Sequence, residues 1–277
     1  MNIPAPLCEH EEPLEFSGKY KVVCPVCKSF WDLEALNSRI IYNQNYPEAR
    51  SHFDPVTGKN KVKTLQNWLR KTNIDLHQLN VCEIGFGGGY CLHFLQRFSK
   101  QVFGVEAISE NIEHAVGLGV RRESVFLADS LPPVLPCRID LWIFQDSFEH
   151  LPDPSGFMKW ITRNSSDLTE VLLVAPDGGS LSEKVLGKLW PHRLTDHCFH
   201  WSKKGLTEFF SKRGFLAELS FSPSKYVSVR TIISHILIKL FPNRPANWKG
   251  LKLPDIVFKF NIGETGFLYR RILNDGP

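Results

Sequence analysis

Thiols, imidazoles and carboxylates are the side chains with which a protein binds metals and moves protons, and this chain gathers them in three places. Near the start, Cys24-Pro25-Val26-Cys27 has the spacing at which two thiolates of one turn grip a tetrahedral metal, and Cys8 and His10 upstream could complete the set. The alternative is a degenerate ribbon that no longer holds metal. Further on, Glu149-His150 closes an apolar run, and His192, His197 and His200 crowd the stretch LWPHRLTDHCFHW. Unperturbed imidazole titrates near neutral pH, so it suits removal of a proton from a hydroxyl. Either His150 or His197 is the candidate base, with His150 first. Glu149 could orient a ring, bind an acceptor hydroxyl or serve the start of a helix. His192 and His200 read as loop-satisfying residues. In the third place, Glu83, Glu106 and Asp129 each stand at or near the end of a short apolar run, the first followed by Gly85, Gly87 and Gly89.

The elements that must position these groups follow from periodicity. Val81–Ile84 reads as a strand, the glycines as a tight turn, and Cys91, Phe94, Leu95 and Phe98 as a helix face. Glycine permits positive φ and close approach of a ligand to the main chain. The helix behind the turn offers unpaired N–H groups and the positive end of its dipole. That makes a socket for a nucleotide-like ligand bearing a carboxylate or phosphate. Glu106 ends the next strand, 21 residues after Gly85, where an acid can accept from both ribose hydroxyls. Ser109 is the expected N-cap of the helix that follows. Strands are expected at 124–130, from Ile139 through Gln145, at 170–176, at 215–222 and at 266–272. Asp54-Pro55-Val56-Thr57-Gly58 reads as a turn before an amphipathic helix bearing Val62, Leu65, Trp68 and Leu69. A dinucleotide site would want G-x-G-x-x-G, and here the third glycine position is Tyr90.

The pattern Glu-x-Gly-x-Gly-x-Gly resembles motif I of class I S-adenosylmethionine (SAM)-dependent methyltransferases. GVEAISENIEHA resembles their next segment, and EHLPDP (149–154) resembles a signature of their small-molecule and glycan-pathway members. The resemblance covers about residues 80–220. It implies a doubly wound, seven-stranded Rossmann-like α/β sheet with an antiparallel last strand, preceded by a small zinc-ribbon-like unit. It assigns the methionine part of SAM to Glu83, Gly85, Gly87 and Gly89, the ribose to Glu106 beside Ala107, and the adenine to Asp129 beside Ser130. Gln145 falls at the strand end next to the cofactor, and the D-H-x-x-H segment at 196–200 borders the acceptor. The implied reaction is methyl transfer to a small-molecule or glycan-precursor acceptor, with a hydroxyl preferred. Zn(2+) would be structural. A SAM-binding module without turnover and an NAD-dependent oxidoreductase are the rivals, the latter disfavoured by Tyr90 and Asp129.

The expected organisation is a ribbon at 1–35, connecting cap helices at 36–80 with Tyr42 and Tyr46 over the cofactor, and a catalytic domain at 81–277 with a lid-like insertion at about 223–260. With 43% hydrophobic residues among 277, the chain can build a sizeable core. A net charge of +4 without a basic run argues against nucleic acid as partner. No apolar run is long enough to span a bilayer. Seven scattered cysteines favour a reducing compartment, and the expected location is cytoplasmic.

Overall fold

Strands at 80–84, 101–106, 125–127, 139–145 and 165–176 alternate with helices, and such an order packs as one sheet between two helical layers. The computed structural model describes residues 5–38, 53–132, 134–194, 196–229, 233 and 256–272. In chain order the elements are β1 (Glu15–Ser17), β2 (Lys21–Val23), β3 (Phe30–Asp32), α1 (Leu33–Ser38), α2 (Pro55–Lys71), β4 (Asn80–Ile84), α3 (Tyr90–Gln96), β5 (Gln101–Glu106) and α4 (Ser109–Gly117). Then follow β6 (Val125–Leu127), β7 (Ile139–Gln145), α5 (Pro154–Asn164), β8 (Ser165–Pro176), α6 (Leu181–Leu186), β9 (Phe199–His200), α7 (Lys203–Ser211), β10 (Phe215–Phe221), β11 (Lys225–Ser228), β12 (Val257–Phe260) and β13 (Glu264–Arg271).

The main sheet has seven strands in the order β6-β5-β4-β7-β8-β13-β10. β6 through β8 run parallel, and β13 enters antiparallel between β8 and β10. That is the expected sheet, with the last strand reversed. Alternate side chains of β7 divide between two cores: Trp142 and Phe144 join α5 and α7 on one face, Leu141 and Ile143 join α2, α3 and α4 on the other. A strand buried on both faces is what a continuous apolar run requires.

Three local expectations change. Asp54-Pro55 is the capped start of α2 rather than a free turn: the Asp54 carboxylate accepts from the N–H of Thr57 and Pro55 occupies the first helical turn. Ser109 is the first residue of α4 and not its cap: the cap position is Ile108, whose side chain makes no capping hydrogen bond. The ribbon also does not stand apart. β3 pairs with β9 of the catalytic domain, Phe30 opposite His200 and Trp31 opposite Phe199, so β1-β2-β3-β9 form one sheet. Tyr42, Tyr46 and most of the expected lid lie outside the described residues; of the lid's flanks, β11 and β12 pair as a two-stranded ribbon.

Candidate active site

The glycine turn sits at the carboxyl end of β4, the central strand, where open α/β sheets bind ligands. Gly85, Gly87 and Gly89 have φ of 70°, 55° and 80°. Any other residue would be strained here, and space forbids one as well. A Cβ on Gly85 would lie 2.6 Å from that of Ser147, and one on Gly89 2.3 Å from that of Ala115. The N–H of Gly87 donates to Glu106 at 2.7 Å, so the acid at the end of β5 holds the turn in place. Three backbone N–H groups thus converge on the Glu106 carboxylate.

Glu83 lies beneath the turn, 2% exposed, with one carboxylate oxygen that has no hydrogen-bond partner. Burial pushes its pKa up to about 8. A buried acid with one unsatisfied oxygen at a ligand socket fits a ligand that brings a cation, and the methionine part of SAM carries two. Asp129 and Ser130 stand exposed just beyond β6, and Ala107 is exposed beyond β5, on the same rim. Gln145, half-buried at the end of β7, accepts a weak hydrogen bond from Cys91.

Across Ser147, whose hydroxyl donates to the carbonyl of Ile84, the chain makes one helical turn, 148–150. Phe148 anchors it. Its ring is fully buried among Phe144, Trp201, Phe209 and Phe210 at centroid distances of 5.3–5.7 Å. Glu149 and His150 are thereby held at the crevice, where His197 meets them. The two Nε2 atoms of His150 and His197 are 3.2 Å apart, and the three residues can place a donor atom each within 4.8 Å of one another. His197 is 4% exposed and His150 half-buried; burial pushes both imidazoles below their ordinary range. The structure thus brings together both candidate bases and Glu149, although 47 residues separate the histidines.

The family model described as a methyltransferase domain matches residues 47–218. The chain belongs to this family. The Ubiquinone biosynthesis O-methyltransferase of Leptothrix cholodnii is 26% identical over 118 residues, 40% of this chain and 49% of that one, so the chain spans about half the length of this curated relative. Solved structures with the same fold include the YcgJ protein of Bacillus subtilis, 18% identical, TM-score 0.52, over 76% of this chain and 98% of that one. Another is a chain of the complex between the Haloferax volcanii Trm112 methyltransferase activator and its methyltransferase, 14% identical, TM-score 0.54, over 81% and 97%. The sheet is that of the class I, SAM-dependent methyltransferases.

Several residues that shape the acceptor side carried no signal in the sequence. Asp146 directly follows β7 with φ of 53°, a conformation costly for a non-glycine residue, and pairs with the buried ammonium of Lys225 at 2.6 Å. Lys225 also pairs with Glu264, which accepts from His192 at 3.1 Å. The attraction of Lys225, reinforced by His192, holds Glu264 down to about 2 against burial. Asp196 faces the Nδ1 of His150 at 3.5 Å. Only chain ends far apart in sequence, β7, β11, β13 and the loop before β9, make this network. His200 instead stacks on Phe30 at 4.6 Å.

The ribbon supports the same loop. Its turn closes through hydrogen bonds from Cys24 N to Ser29 O and from Lys28 N to Cys24 O, and it brings Cys8, His10, Cys24 and Cys27 within 4.8 Å of one another. The C-x-H spacing of the first pair, cramped on paper, reaches the cluster because Glu9 adopts a φ of 61° between them. His10 is oriented by Glu208 of α7, 3.0 Å from Nε2, with Nδ1 3.4 Å from the Cys24 sulfur. Three buried thiols and one imidazole with an outer carboxylate are a donor set suited to zinc. Asp32 of β3 pairs with Arg193 of the histidine loop, and Ser29 accepts the N–H of Ser202 at 2.9 Å.

Proposed function

We propose that this protein transfers the methyl group of SAM to a hydroxyl of a small-molecule or glycan-precursor acceptor. The observation that carries the reading is the junction at Ser147. On one side lies a glycine cradle tied to Glu106, on the other a buried carboxylate and two facing imidazoles. SAM supplies a methyl already activated on a sulfonium, so the protein has chiefly to align an in-line displacement and help a proton leave the acceptor. Gly85, Gly87 and Gly89 would receive the methionine part, Glu83 its positive charge, Glu106 a ribose hydroxyl and Asp129 the adenine amino group. Glu149, His150 and His197 line the acceptor side and activate the hydroxyl. The similarity to an O-methyltransferase of ubiquinone biosynthesis supports oxygen as the methylated atom.

Zinc on Cys8, His10, Cys24 and Cys27 would have four protein donors and no open position, a structural role. The seven cysteines carry no disulfide, in keeping with a reducing, cytoplasmic setting. Among the described residues no helix is long and apolar enough to cross a membrane.

Thermal shift with SAM against NAD tests the cofactor, since a ligand binding only the native state raises its stability. Methyl transfer to a panel of phenols, sugars and amines tests the acceptor class. Stabilisation by NAD but not SAM, or transfer to amines alone, would replace this reading.

A further inference from the structure

We infer that Glu149, His150 and His197 form a second metal site, for a divalent first-row cation, in the wall of the acceptor crevice. The three residues are on the page for the proposed transfer, and the cation's part in catalysis rests on that reading; the binding site itself does not. Two independent features of the geometry point to a cation. Glu149 is 6% exposed, yet neither carboxylate oxygen has a hydrogen-bond partner and no described cation forms an ion pair with it. An unpartnered buried carboxylate is among the costlier things a fold can contain.

The second feature is the contact between the imidazoles. A neutral ring owns one N–H and one lone pair. His197 faces the carbonyl of His192 with Nδ1 at 2.8 Å, which only an N–H can satisfy, so its Nε2 presents a lone pair. His150 has its Nδ1 3.5 Å from the Asp196 carboxylate, too long to fix the tautomer, and its Nε2 lies 3.2 Å from that of His197, so one ring donates to the other when no cation is bound. Release of that single proton leaves both Nε2 atoms as ligands. Two ring nitrogens and a carboxylate without a hydrogen-bond partner lie within 4.8 Å of one another, and His197 is braced from behind by the carbonyl of His192. Metal-ligating histidines are held in this way. The positive charge that reaches Glu149, Lys225, forms its ion pairs with Asp146 and Glu264 and not with Glu149.

Two imidazoles and one carboxylate suit zinc, iron, cobalt or manganese rather than magnesium or calcium, and three protein donors leave positions open. The ribbon's four donors leave none. A cation here would lower the pKa of an acceptor hydroxyl, so its proton leaves to solvent and neither ring has to take it. The oxygen lone pair then forms the C–O bond as the C–S bond breaks and its electrons return to sulfur. The products are a methyl ether, S-adenosylhomocysteine and one proton.

The test is metal stoichiometry of the full chain, purified without a chelating tag and supplied with zinc, in wild type, Glu149→Gln and His197→Ala. Each variant should hold about one metal fewer than wild type while SAM still raises its melting temperature. Titration of wild type with Co(II) should show a second saturable site whose spectrum lacks the sulfur-to-metal absorption of the thiolate site, weakened by more than the roughly 10–100-fold that outer-shell changes cost in either variant. Wild type showing no saturable site without sulfur ligation overturns the inference, whether or not the variants fold. So does unchanged stoichiometry in folded variants. Metal bound without methyl transfer to any acceptor would instead overturn the proposed reaction and leave the site standing.

Discussion

The cofactor half and the acceptor half of the crevice are built on different principles. The proposed cofactor half comes mostly from one stretch, 81–130, with Gln145 and Ser147 added from β7 and beyond, and its key contacts are between a side chain and main chain: Glu106 with Gly87, Ala107 and Ile108. The acceptor half draws on the end of β7, the loop before β9, β11, β13 and, behind them, the ribbon. Its contacts are between side chains brought from afar, many of them charged and buried. One half can be damaged only from inside, the other from a considerable distance. The ribbon teaches this most directly, because Asp32 and the pairing of β3 with β9 hold the loop that carries His197.

The largest expected effect therefore lies in the ribbon. Cys24→Ala removes a donor from a buried thiol cluster and should lower stability by upwards of about 4 kcal/mol in denaturant melts. Transfer should be lost while SAM affinity in the surviving folded fraction stays near wild type. Equal loss of SAM binding would mean that the two halves are one unit. Next is Asp32→Asn, which leaves the 7%-exposed guanidinium of Arg193 without its partner. Breaking a buried pair in this way should cost about 3 kcal/mol, with kcat falling and SAM affinity unchanged. An effect on SAM affinity larger than on kcat would overturn the division.

On the proposed cofactor side, Glu106→Ala removes the tie to Gly87 and the acceptor we propose for a ribose hydroxyl. SAM affinity by calorimetry should fall at least about tenfold, with the acceptor half intact by Co(II) spectroscopy. The smallest effect concerns Glu83. Burial raises it to about 8, so it is largely protonated in the free protein at neutral pH. A bound cation favours its ionised form, and SAM binding should release a fraction of a proton and tighten as pH rises toward 8. Calorimetry in buffers of different ionisation enthalpy would show it; no proton release means that Glu83 does not face the cofactor. In the free chain the sign is opposite. The folded pKa lies above the unfolded value of 4.5, so stability should decline as pH rises between 4.5 and about 8.

What the sequence by itself determined is whatever depends on neighbours along the chain. The glycine spacing, the acid at the end of β5, the C-x-x-C turn and the apolar strands were all legible, because a turn or a strand face is decided within a few residues. The misread details lie at the same scale: Ser109 is the first residue of α4, one position beyond the cap. The sequence set His197 apart as a candidate and His200 as a loop residue, yet only the fold showed that His197 meets His150 while His200 stacks under Phe30. Tertiary structure alone decided that Lys225 answers Asp146 and Glu264, that Asp32 reaches Arg193, and that Glu149 is left without a hydrogen-bond partner beside two imidazoles. A buried charge is settled by whichever partner the packing delivers, and sequence distance carries no information about that partner.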